Sequence, residues 1–172
     1  MSDTLFDSTV SDAVLSDDGL YRYELTRTWQ PEAYRLWFIM LNPSTADATI
    51  DDPTIRRCIG FAQRFRYGGV GVMNLYAYRA TKPADLWKAA DPVGPENDDR
   101  LGAMLAARSY FNVPTVAAWG ANAKPERVAQ VLAMPGAHRL MSLGLTKAGQ
   151  PRHPLYLRGD AEMTPYAQEA TP

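Results

Sequence analysis

Four short apolar runs punctuate the chain: "LWFIML" (36–41), "GVGVMNL" (69–75), "TVAAWG" (115–120) and "HRLMSL" (138–143). Each is too short for a helix and lacks strict alternation, the form taken by strands covered on both faces of a parallel sheet. Upstream, "YRYELTRTW" (21–29) alternates aromatic or branched with polar residues after Asp17-Asp18-Gly19, which predicts a strand in an N-terminal hairpin. Helical patterns fill the gaps. Asp52-Pro53 reads as an N-cap with proline at the first helical position, followed by Ile55, Ile59, Ala62 and Phe65 at helical spacing. Pro95 opens "PENDDRLGAMLAAR", with acids in the first turn and Leu101, Met104 and Leu105 on one face. Pro125 opens "PERVAQVLAM", which Pro135-Gly136 stops. This order predicts an α/β fold: a small open, mainly parallel four-stranded sheet with helices on both faces, plus an N-terminal β-hairpin. The chain reads as one domain, residues 1–35 forming the extension and hairpin and 36–158 the core.

A chain of 172 residues is long enough to bury a real core. Cys58 is the only cysteine, which excludes an intramolecular disulfide and a multi-thiolate metal site and predicts a reducing, cytoplasmic setting. The acidic N-terminus lacks the order of a signal peptide, and no apolar run approaches the ~20 residues of a membrane span. No membrane association is expected.

Open α/β sheets bind ligands beyond the carboxyl ends of their strands. That rim reads directly from the sequence as Asn42-Pro43-Ser44-Thr45, then Asn74 with "LYAYRATKP", then Trp119-Gly120-Ala121-Asn122, then "LGLTKAGQPRHPLYL". Parallel strands would place Asn42, Asn74, Asn122 and His153 on one edge. An Asn side chain carries an acceptor and two donors, matching the mixed edge of a nucleobase. Asn42 can orient a water but cannot deprotonate it, which suits hydrolysis through an already cationic, oxocarbenium-like sugar. His153 can donate to a departing base as negative charge develops there. Asn42 equally fits an Asx turn at the strand exit, and His153 a loop-packing role.

The order "LNPSTAD", "GVGVMNLYA", "AWGANAK", "HPLYL" resembles that of the uracil-DNA glycosylase superfamily over roughly residues 36–158. More closely, "MLNPSTADA", "DDPTIRRC", "RATKP", "NDD", "AWG", "LGLTK" and "HPLYL" resemble the bacterial and phage domain-of-unknown-function 1643 family. The wider resemblance implies excision of a base from DNA, with Asn42 positioning the water and His153 stabilising the departing base. It assigns base recognition to Asn74, which Asn122 joins on the shared rim, and Tyr76 or Tyr78 would substitute for the stacking aromatic. Leu157 takes the place of the wedge that fills the gap left by a flipped nucleotide. Three positions depart from that pattern. Met40 stands where the superfamily has glycine, Leu155 replaces the serine of His-Pro-Ser, and no aromatic lies between Pro43 and Phe61, where a base-stacking ring belongs.

The net charge of −1 excludes a generally polycationic binder, yet charge is unevenly placed. "RRCIGFAQRFR" and "TKAGQPRHPLYLR" are basic, and Arg56, Arg57, Lys147, Arg152 and Arg158, with Ser44 and Thr45, are the expected DNA contacts; solvated faces are the alternative. Asp47, Asp51, Asp52, Asp98 and Asp99 would suit a divalent cation, but helix capping accounts for the last four more simply. Neither metal nor organic cofactor is called for. The expected partner is DNA or a nucleotide, and the sequence leaves oligomeric state open. Two alternatives to a glycosylase remain: a noncatalytic binder of nucleic acid or nucleotides, and an enzyme acting on free nucleotides or nucleosides.

Overall fold

The computed structural model describes residues 9–44 and 49–166. Four apolar strands run through its centre: β3 (Arg35–Met40), β4 (Gly69–Asn74), β5 (Thr115–Ala117) and β6 (Leu140–Ser142). They are parallel and lie in the order β4, β3, β5, β6. Side chains alternate between two cores. Leu36, Phe38 and Val116 meet Ile55, Cys58 and Phe61 on one face, while Ile39, Met73 and Ala117 meet Leu101, Leu105, Val128 and Val131 on the other. The first face is covered by α1 (Pro53–Arg64), the second by α3 (Asn97–Tyr110) and α4 (Pro125–Leu132). A single turn, α2 (Pro83–Leu86), adds Leu86 to the second core.

The sheet is larger and more mixed than the sequence predicts. It has seven strands in the order β1, β2, β4, β3, β5, β6, β7, the outer three being β1 (Val10–Leu15), β2 (Arg22–Thr28) and β7 (Thr164–Pro165). The N-terminal hairpin is no appendage: β2 pairs antiparallel with β4 from Leu25 opposite Val72 to Thr28 opposite Gly69. The physical reason lies in β4, which is buried along its whole length. As an edge it would leave a row of unpaired backbone groups, and β2 satisfies them. At the far edge, β7 pairs antiparallel with β6. Two residues ending in proline give no apolar pattern to read, and proline is tolerated only at such an edge.

Helix starts follow local chemistry. Asp52 caps α1 by accepting from the Ile55 amide at 2.8 Å, with Pro53 in the first turn. α3 begins two residues after Pro95, with Asp98 and Asp99 in its first turn. Among the described residues no helix is long and apolar enough to cross a membrane.

Candidate functional site

The chain leaves β3 through α1 toward β4 and leaves β5 through α4 toward β6, in opposite directions along the sheet. Ligand crevices of open α/β sheets form at this kind of reversal. A cavity of about 480 Å³ opens there, its floor formed by Met40, Leu41 and Trp119 and its rim including Asn42, Asn122, Lys147, Arg152, His153 and Tyr156.

The Asn42 amide is fixed by its neighbours. Its Nδ2 donates to the Ala80 carbonyl at 2.8 Å and the Pro43 carbonyl at 3.0 Å. Two carbonyls demand the nitrogen, so the oxygen is the atom left over; among the described residues it accepts no hydrogen bond. Asn42, which lines the cavity, therefore keeps an unbonded acceptor that cannot take a proton.

His153 is held differently. Its Nδ1 accepts from the Leu155 amide at 3.3 Å, capping a 3₁₀ turn over Pro154–Tyr156. In the neutral ring the proton then sits on Nε2, a donor. Burial lowers the His153 pKa from 6.5, with the Asp52 carboxylate partly opposing the shift. The imidazole is neutral at pH 7.

The loop carrying these groups is pinned on several sides. Arg152 donates from its amide to the Gly144 carbonyl at 2.9 Å and from Nε to the Leu145 carbonyl at 3.0 Å. Thr146 closes the turn beneath Lys147, its amide meeting the Gln150 carbonyl at 2.8 Å. Gly120, at φ 76°, bonds the Pro151 carbonyl at 2.8 Å and brings the exit of β5 beside His153; a Cβ there would sit 3.7 Å from that of His153. Arg57 ties the far side to α1 through the Pro154 and Leu157 carbonyls. Neither the Lys147 ammonium nor the outer nitrogens of Arg152 have a protein acceptor among the described residues. No acid lines this cavity among those residues either.

Thus Asn42, Asn122, Lys147, Arg152 and His153 come together, and the other expected residues among those described lie elsewhere. Asn74 ends β4, on the wrong side of β3, and is only 3 % exposed; its carbonyl accepts from Asn97 Nδ2 at 3.0 Å. Tyr76 is buried edge-on to Trp87, its hydroxyl accepting from the Lys124 amide, and Tyr78 packs edge-on to Tyr21. Leu157 is core, resting 3.1 Å from where a Gly144 Cβ would be, so it is not presented as a wedge. Arg56 is spent on the Asp51 carbonyl, Arg158 on Asp160, and Ser44 lies beside the Asp52 cap at 3.4 Å. Thr45 and Asp47 lie outside the described residues. Asp51 pairs with Arg27 and Asp98 with Arg127, and among the described residues no three His, Cys, Asp or Glu gather as a metal site. The one cysteine is buried, which pushes its thiol pKa up.

The sequence signature of the family described as Protein of unknown function (DUF1643) matches residues 22–155. The chain belongs to that family. No curated protein matches it. In this DUF1643 protein the cavity also holds an aromatic that the sequence reading passed over: Tyr156 is 76 % exposed, lines the cavity, and lies 5.9 Å from the His153 ring. A 3₁₀ turn repeats every three residues, so burying Pro154 and Leu157 turns Leu155 and Tyr156 outward. That three-residue period in "HPLYL" was the available signal.

The imidazole yields a prediction with a definite sign. Because the folded pKa lies below 6.5, the unfolded chain binds more protons in the window between the two values. The His153 contribution to stability is complete above 6.5 and declines as pH falls to the folded pKa. Asp52→Asn removes the opposing charge while keeping a capping side chain, so the folded pKa should drop further. Proton NMR of the two histidines, assigned with His138→Gln, checks this. Titration of His153 at or above 6.5 would contradict the half-buried, neutral ring.

Proposed function

We propose that the DUF1643 chain is a uracil-DNA glycosylase-like protein whose cavity receives a nucleobase and hydrolyses its bond to the sugar. The observation that carries this reading is the pairing, around one cavity, of an Asn42 oxygen free to accept and a His153 Nε2–H free to donate. A water donating to Asn42 is oriented toward the anomeric carbon. The carbon–nitrogen bond breaks with its electron pair passing to the base, a carbon–oxygen bond forms, and the water proton leaves to solvent. His153 stabilises the departing base, which is then protonated on nitrogen. Such a path needs little nucleophilic push because the sugar is already cationic in the transition state. Lys147 and Arg152 serve the phosphate, and Tyr156 offers a ring face on which a base can stack, an interaction worth about 1–3 kcal/mol. DNA is the proposed partner, and the single buried cysteine suits a reducing cytoplasm.

A second reading draws on the cations. Arg56, Arg57 and Arg158 are engaged within the protein, leaving Lys147 and Arg152 as the rim charges of a cavity sized for one nucleotide. That pattern favours a free nucleotide over a duplex.

An abasic-site assay separates the two. End-labelled single strands and duplexes carrying uracil, deaminated purines, alkylated bases or mismatches are incubated with protein and then treated with alkali. Strand cleavage at one base type is expected. No cleavage, with nucleoside monophosphates binding in calorimetry, would replace excision by the second reading.

A further inference from the structure

A second cavity, of about 420 Å³, lies away from the strand-end rim, between α3 and the sheet. Trp37, Met104, Ala107 and Val113 give it a largely apolar lining. The indole lies flat because Gly71, opposite Trp37 in the register, has no side chain; a Cβ there would fall 2.4 Å from the ring. Tyr34 and Phe111 also line the cavity, and both are exposed.

The charges on the lining are unequally matched. Arg100 meets Glu24 at 3.2 Å and Glu96 at 2.9 Å, two carboxylates to one guanidinium, so that end is left net negative. Arg108 stands eight residues further along α3, about 12 Å at 1.5 Å per residue. It is 9 % exposed, and only its Nη2 is bonded, to the Pro114 carbonyl at 2.8 Å. Its Nε is buried without an acceptor, and among the described residues Nη1 has none and no carboxylate pairs with the guanidinium. Buried cations are ordinarily paired, and a buried donor left unmatched calls for an explanation.

We propose that this cavity is a second ligand site, taking an amphipathic carboxylate whose apolar body lies against Trp37 and Met104 and whose carboxylate meets the Arg108 guanidinium. Guanidinium and carboxylate match in planar geometry, and the pairing is strongest where water is excluded. The paired Glu24 at the opposite end sets the orientation, because a carboxylate is repelled there and attracted at Arg108. The site is independent of base chemistry at the rim.

Naphthylacetate and its uncharged amide test the proposal by calorimetry and ligand-observed NMR on the full chain. The acid is expected to bind at least tenfold more tightly than the amide. Ala107→Trp, on an exposed helical position lining the cavity, should abolish binding of both. Arg108→Gln should reduce the acid to the affinity of the amide. If that variant does not fold, the wild-type comparison and Ala107→Trp still decide. Equal affinity for acid and amide, binding that survives Ala107→Trp, or no binding of either compound would overturn the proposal.

Discussion

Replacing Asn42 with alanine is expected to slow base release by roughly a hundredfold or more, the scale of losing one positioned polar group in a transition state. The alanine variant removes the only cavity-facing role the proposal gives this residue, that of holding the water. It also removes two hydrogen bonds, to Pro43 and Ala80, in a half-buried setting. A stability loss of about 1–3 kcal/mol should accompany the kinetic one. Single-turnover rates measured well below the melting transition keep the two effects apart. Asn42→Asp should not restore activity, although a carboxylate also accepts from water. Both backbone carbonyls that now receive N–H bonds would face an anion and push it out of position. An unchanged rate in Asn42→Ala would end the water-positioning mechanism.

That contrast shows what the sequence could and could not convey. "LNPSTAD" placed an amide at a strand exit, because an apolar run ending in Asn-Pro can be read locally. The roles of its two ends could not be read, since Ala80 lies 38 residues away and comes near only through folding. The four central strands were legible for the same local reason: apolar runs of that length have few other fates. The pairing of β2 with β4 was not, because alternation marks a strand without naming its neighbour. Strand order also decided the site. Asn74 ends β4 and Asn42 follows the end of β3 by two residues, but the crevice forms between β3 and β5, so Asn74 falls on the far side. There Asn97 and Arg127 converge on the Leu75 carbonyl and close that end of the sheet. Tyr156 escaped notice because its exposure depends on a 3₁₀ turn rather than on residue type.

Trp119 tests whether the cavity is built on the core or merely beside it. The indole is 1 % exposed, lies edge-on to Tyr166 at 5.5 Å, and donates to Gln150 Oε1 at 3.2 Å, while its outer edge forms cavity floor. Trp119→Ala should cost about 3–5 kcal/mol, the range for emptying a large buried aromatic site. Urea unfolding would register this as a lower midpoint with an unchanged slope. A loss under about 1 kcal/mol would mean that the ring is not held as described. Trp119→Phe separates the two roles. It keeps most of the packing and gives up the bond to Gln150, at about 1 kcal/mol. Gln150 closes the turn that carries Lys147, so freeing it loosens the rim without emptying the core. Ligand affinity should therefore fall more in Trp119→Phe than its small stability loss explains. Equal, small changes in both would place the Lys147 turn outside the site.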